Sequence, residues 1–127
     1  VKAASEASIQ IAIVEYLSLI CRSHKFIFFS IPNESMTPKD GKKLSGKEYG
    51  RINRLKKMGL TPGVSDLEIV YKGSAYFLEV KRPGRAGSRL SESQNIFMKN
   101  SSAAGARYAI VRSVDDVIDA LRIWRII

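Results

Sequence analysis

Asp66-Leu67-Glu68-Ile69-Val70-Tyr71-Lys72-Gly73-Ser74-Ala75-Tyr76-Phe77-Leu78-Glu79-Val80-Lys81 is the stretch that decides the architecture. Two runs rich in aliphatic and aromatic residues meet at Lys72-Gly73-Ser74, the signal of a β-hairpin. A two-residue turn of Lys72-Gly73 pairs Tyr71 with Ser74 and sets Asp66 opposite Glu79. A turn of Gly73-Ser74 instead sets Asp66 opposite Lys81 and Glu79 opposite Glu68. Either way Asp66, Glu79 and Lys81 share one face, because strand side chains repeat every two residues.

Downstream, Ser91 to Ala104 reads as a helix. Ser91 is its N-cap, Gln94 completes a Ser-x-x-Gln capping box, Ile96 and Phe97 face inward, and Gly105 ends it. Arg107 to Arg112 is a strand around Tyr108, Ile110 and Val111. Ser113 then caps a last helix with Asp115 and Asp116 in its first turn and Val117, Ile118, Leu121 and Trp124 on its buried side. Upstream, Ile9, Ile13, Tyr16, Leu17 and Ile20 mark the apolar stripe of a helix from Ser5 to Ile20. Glu6 falls on that stripe and is expected to point inward. Phe26 to Ile31 reads as a strand stopped by Pro32. Pro38, Gly41 and Gly46 mark an exposed basic loop, and Lys47 to Met58 offers a second helix with Tyr49, Ile52 and Leu55 as a thin apolar side and Gly59 as its end. The expectation is an α/β fold, a mixed sheet flanked by helices, in the order α-β-(α)-β-β-α-β-α over residues 1–127 as one domain.

A length of 127 residues with 45% hydrophobic and 26% charged residues suits one small core and excludes a disordered basic tail. No apolar run approaches the roughly 18 to 20 residues needed to cross a bilayer, and Val1 to Ser8 lack a signal-peptide pattern, so the chain is expected in the cytoplasm, without a membrane partner. One cysteine, Cys21, and one histidine, His24, exclude an internal disulfide, a Cys/His zinc site and a triad using more than that one histidine. Cys21 is expected to be a small core residue. Chemistry is therefore steered to carboxylates. The net charge is +9. Eight cations against two acids lie between Lys39 and Lys57, which places six of those nine charges in one segment. Lys42, Lys43, Lys47, Arg51 and Arg54 there, with Arg82, Arg85 and Arg89 around Pro83-Gly84, are candidate phosphate contacts, and a polyanion is the expected partner. Segment 39 to 57 has too few large apolar side chains to lie in a membrane surface.

On the shared face of the hairpin, two carboxylates on neighbouring strands can converge on one hard cation such as Mg²⁺, which takes oxygen ligands and leaves positions for water and phosphate. Lys81 reaches the same place, where its ammonium can orient a water or stabilise charge on phosphate oxygens. Asp40-Gly41-Lys42 has the same acid-x-Lys spacing as Glu79-Val80-Lys81 but lies in a glycine-containing loop with no facing acid. Context separates the two.

Gly63-Val64-Ser65-Asp66, Phe77-Leu78-Glu79-Val80-Lys81 and Leu90-Ser91-Glu92-Ser93-Gln94 together resemble the PD-(D/E)xK nuclease core, and more narrowly its VRR-NUC (virus-type replication-repair nuclease) branch. Further matches are Glu6, Ile31-Pro32-Asn33-Glu34, and Gly105 through Ser113, so the resemblance spans nearly the whole chain. It implies a phosphodiester hydrolase acting on DNA with Mg²⁺ or Mn²⁺. Asp66 and Glu79 would bind the metal with the Val80 carbonyl, Lys81 would be catalytic, Gln94 would complete the site, and Glu6 would act through the metal's water shell. One departure is Ser65, which stands directly before the acid while Pro62 lies four residues upstream of it. Compact members of this kind resemble junction-cleaving homodimers of bacteria and phages, which implies branched DNA such as a four-way junction. The competing expectations are a nucleic-acid-binding module that keeps the fold without the chemistry, and an assembly protein using the basic face.

Overall fold

Lys72 and Gly73 both have positive φ, at 47° and 80°. Such a pair makes the two-residue type I′ turn whose twist matches that of its strands. The turn joins β2, Leu67–Tyr71, to β3, Ser74–Val80. Tyr71 pairs with Ser74 and Leu67 with Leu78, so the next step of the same register sets Asp66 against Glu79. Of the two turns the sequence allows, the structure takes Lys72-Gly73.

In the computed structural model, residues 4–32, 45–84 and 89–127 are described. Among them the chain runs α1 (Glu6–His24), β1 (Ile27–Ser30), α2 (Gly46–Lys57), β2, β3, α3 (Glu92–Ala103), β4 (Arg107–Val111) and α4 (Val114–Ile123). The sheet order is β1-β2-β3-β4, with β1 and β3 antiparallel to β2 and β4 parallel to β3. The result is the expected mixed sheet flanked by helices.

One sheet face builds the core. Leu67, Ile69, Leu78, Val80 and Val111 are buried against Ile9, Ile13 and Leu17 of α1 and Val117 and Leu121 of α4. Burying each such side chain contributes roughly 1.5–3 kcal/mol. Strand alternation turns the opposite face toward α3. There Phe97 meets Phe77 edge-on at 5.1 Å and Tyr108 at 6.3 Å between ring centroids, which seats α3 along β3 and β4 with its N-terminal turn at the Val80 end.

Helix termini follow the sequence closely. Ser5, Ser45, Ser91 and Ser113 are N-caps, with full capping boxes at Ser45/Glu48 and Ser91/Gln94. Several expectations are corrected. Gly46 opens α2 instead of belonging to a loop, because Ser45 caps it. Glu6 is exposed, since it occupies the first helical position, before α1 reaches the sheet. Ile96 is 52% exposed and Tyr49 50% exposed, while Trp124 follows α4 as its C-cap and is half-buried beside Tyr76. Cys21 is half-buried and packs against the core.

Candidate active site

The loop before β2 delivers the first acid. Ser65 is fully buried and its hydroxyl donates to the Leu67 carbonyl at 3.2 Å, closing a tight bend. Asp66 follows, and its Oδ2 accepts the Val80 backbone N–H at 2.7 Å across the hairpin. That bond fixes the carboxylate at the end of β3, beside Glu79. Glu79 and Lys81 are only 3% and 8% exposed. Phe77 and Glu79 share the face turned from the core by alternation with Leu78 and Val80, and the Lys81 N–H donates to the Val111 carbonyl at 3.0 Å, which carries the strand one residue further.

Gln94, in the first turn of α3, ties these groups together. Its Oε1 accepts from Lys81 Nζ at 3.0 Å and from the Ser91 backbone N–H at 2.9 Å, while its Nε2 donates to Glu79 Oε1 at 3.0 Å. Two donors on one side and a carboxylate on the other assign the amide orientation. Helix capping and site assembly, which compete as readings of Ser91-x-x-Gln94 in the sequence, are performed by the same oxygen.

The electrostatics of the pair follow from this packing. Burial pushes the Glu79 carboxyl up to about 8, reinforced by the Asp66 charge and opposed by Lys81. Burial raises Asp66 as well, against the lowering effect of the Val80 N–H. Glu6 makes no hydrogen bond to these groups among the described residues, yet its charge raises both carboxyls, so it lies within electrostatic reach.

Does this donor set suit a divalent cation? Glu79 Oε2 is buried and has no hydrogen-bond partner among the described residues. An unpartnered buried carboxylate oxygen next to a second carboxylate is a costly arrangement that a hard cation relieves. Among the described residues no three Asp, Glu, His or Cys side chains gather closely enough to hold an ion. Asp66 and Glu79 therefore fit as a two-carboxylate site, with remaining positions open to backbone oxygen, water or substrate.

Lys47, Arg51, Arg54, Arg82 and Arg89 are exposed. At 100° per residue Lys47, Arg51 and Arg54 lie on the side of α2 turned away from the buried Ile52. Lys42, Lys43 and Arg85, and also Asn33 and Glu34, lie outside the described residues.

One residue of the site escapes the sequence reading. Tyr108 reads as an ordinary strand aromatic, but its hydroxyl is buried, without a hydrogen-bond partner among the described residues. Burial first, then the charges of Glu79 and Asp66, raise its pKa. Removing an unsatisfied buried hydroxyl relieves a desolvation cost. Tyr108→Phe is expected to leave metal-free stability unchanged or raise it by about 1 kcal/mol in urea unfolding. A loss larger than that would show that the hydroxyl has a partner.

A solved structure titled "VRR_NUC domain protein" has the same fold, with a TM-score of 0.63 and 17% identity, covering 98% of this chain and 90% of that one. No family model matches the chain, and no curated protein matches it in sequence. The architecture is therefore that of a VRR-NUC domain, established by shape. Among the described residues no helix is long and apolar enough to cross a membrane.

Proposed function

We propose that this chain is a divalent-cation-dependent nuclease of the VRR-NUC type that hydrolyses phosphodiester bonds in DNA. The observation that carries the proposal is the connected set of buried Glu79 and Lys81 with half-buried Asp66 and Gln94, Glu79 Oε2 having no partner among the described residues. Asp66 and Glu79, with the Val80 carbonyl, are the residues that would hold Mg²⁺ or Mn²⁺. Such an ion, when bound, neutralises phosphate charge and lowers the pKa of a bound water.

The chain's own groups do the rest. Gln94 keeps the Lys81 ammonium beside Glu79, where it orients the attacking water and stabilises charge developing on phosphate oxygens. Glu6, exposed and within electrostatic reach, acts from the outer water shell. Lys42, Lys43, Lys47, Arg51, Arg54, Arg82, Arg85 and Arg89 hold the DNA backbone. Replacing Lys47 and Arg54 together with Ala is expected to weaken binding evenly across DNA sequences and to reduce the slope of log K against log[salt] by about two. Fluorescence anisotropy at several salt concentrations measures it, and an unchanged slope would remove α2 from the interface.

The resemblance to compact family members supports branched DNA as substrate, a four-way junction among the forms, with a homodimer matching its paired scissile sites. It also supports a bacterial or phage-encoded protein working in the cytoplasm. A panel of junction, flap, splayed-arm and linear duplexes incubated with Mg²⁺ or Mn²⁺, with light scattering for the oligomer, tests both parts. Equal cutting of all four substrates by a monomer would reject the junction assignment. Binding without cutting under every condition would favour the inactive module.

A further inference from the structure

The loop that carries Asp66 presses against the helix that carries Gln94 at Gly63. Gly63 has φ +77°, and a Cβ placed on it would overlap the Ser93 carbonyl group and stand 2.5 Å from the Gln94 backbone nitrogen. That nitrogen is itself the capped one, donating to Ser91 Oγ at 3.2 Å. The loop backbone is thus pressed directly onto the capped first turn of α3, and a glycine is the residue that permits the approach.

We infer that Gly63 is a positioning residue that sets the distance between α3 and the hairpin, and so holds Gln94 between Glu79 and Lys81. The inference rests on the proposed nuclease reading for its activity readout only. A Cβ needs about 3.4 Å or more from its neighbours for ordinary contact, so an alanine at 63 must push the α3 turn away by about 1 Å. The Gln94 bonds to Lys81 and Glu79 are 3.0 Å long and are lost beyond roughly 3.5 Å. The displacement exceeds the slack. Neither capping nor the sheet can absorb it, because Gln94 Oε1 also serves the Ser91 N–H.

Positive φ alone would disfavour a side chain here, so the overlap needs a control. Gly73 supplies it, with φ +80° and nothing within 4 Å of a built Cβ. Gly73→Ala carries the same backbone strain without the clash. Gly63→Ala is expected to lower kcat on a short duplex about 100-fold with KM changed less than about twofold, while Gly73→Ala keeps wild-type kinetics. In a Gln94→Ala background, Gly63→Ala is expected to cost little more, since the two act through one group. Independently of cleavage, the Gln94 side-chain amide resonances move in Gly63→Ala and stay in place in Gly73→Ala. In the wild-type protein, a nuclear Overhauser contact joins the Gly63 α-protons to the Gln94 amide proton. Additive effects of Gly63→Ala and Gln94→Ala, unmoved Gln94 amide resonances in a folded Gly63→Ala protein, or absence of the wild-type contact would each overturn the inference. If no DNA is cut, the nuclease proposal fails and the resonance measurements still decide this one; if Gly63→Ala does not fold, the wild-type contact decides it.

Discussion

Glu79→Gln is expected to abolish cleavage and, at alkaline pH, to make the metal-free protein more stable. The two effects have opposite signs because Glu79 is placed for charge and not for packing. Its carboxyl titrates near 4.5 when unfolded and is pushed up to about 8 in the fold, by burial first and the Asp66 charge second. Between those values the folded state binds more protons than the unfolded chain, so stability falls as pH rises through that window and levels off above about 8. Glutamine has no such penalty and can keep a hydrogen bond with the Gln94 amide. In chelator, the melting temperature of the variant should exceed that of wild type by a margin that widens from pH 5 to pH 8.5, reaching of the order of 1–3 kcal/mol. That corresponds to roughly 5 °C per kcal/mol. Cleavage should fall by at least about 1,000-fold, since the proposed cation site would lose one of its two side-chain donors. A difference in melting temperature independent of pH would contradict the assigned environment of Glu79.

Lys81→Ala is the second large effect. The ammonium lowers the carboxyls of both Asp66 and Glu79 and is held in place by Gln94 Oε1. Without it the pair loses a countercharge that lowers both carboxyls and, on the proposed mechanism, the attacking water loses the cation that orients it. A rate loss of about 100- to 10,000-fold is expected, the range of a positioned acid–base or charge-stabilising group. Lys81→Arg should not restore it, because a planar guanidinium does not fit the point contact at Gln94. Binding of uncut DNA, which rests on exposed cations, should change by less than about threefold. Loss of binding in parallel with loss of cleavage would make Lys81 a DNA contact and not a catalytic group.

How much of this is legible before folding differs from residue to residue. The hairpin and the shared face of Asp66, Glu79 and Lys81 can be read because strand side chains alternate, but two turns fit the sequence, and the choice of Lys72-Gly73 that sets Asp66 against Glu79 comes from the folded backbone. The caps at Ser91 and Ser113 are legible because a capping serine acts within one turn, whereas the cap at Ser45 is hidden by the glycine that follows it. Glu6 falls on the apolar stripe by periodicity, yet it is exposed, since a stripe position is buried only where another element covers it. Ile96 and Tyr49 fail likewise: α3 turns Phe97, not Ile96, onto Phe77, and α2 buries Ile52 alone. The double role of Gln94 is visible as two competing readings, and only the tertiary placement of Lys81 shows that they coincide. The packing roles of Tyr108 and Gly63 are silent in the sequence. A tyrosine in a strand looks like core, and a glycine before a strand looks like a turn, because what each one touches comes from distant segments of the chain.

The most direct measurement is nicking of a supercoiled plasmid in Mn²⁺ by the wild-type protein beside Lys81→Ala, each shown to be folded by circular dichroism. Relaxed circles from wild type, none from the variant, and none from either in chelator is the predicted result. Equal nicking by both proteins, or none by wild type on the plasmid and on every branched substrate, would contradict the account.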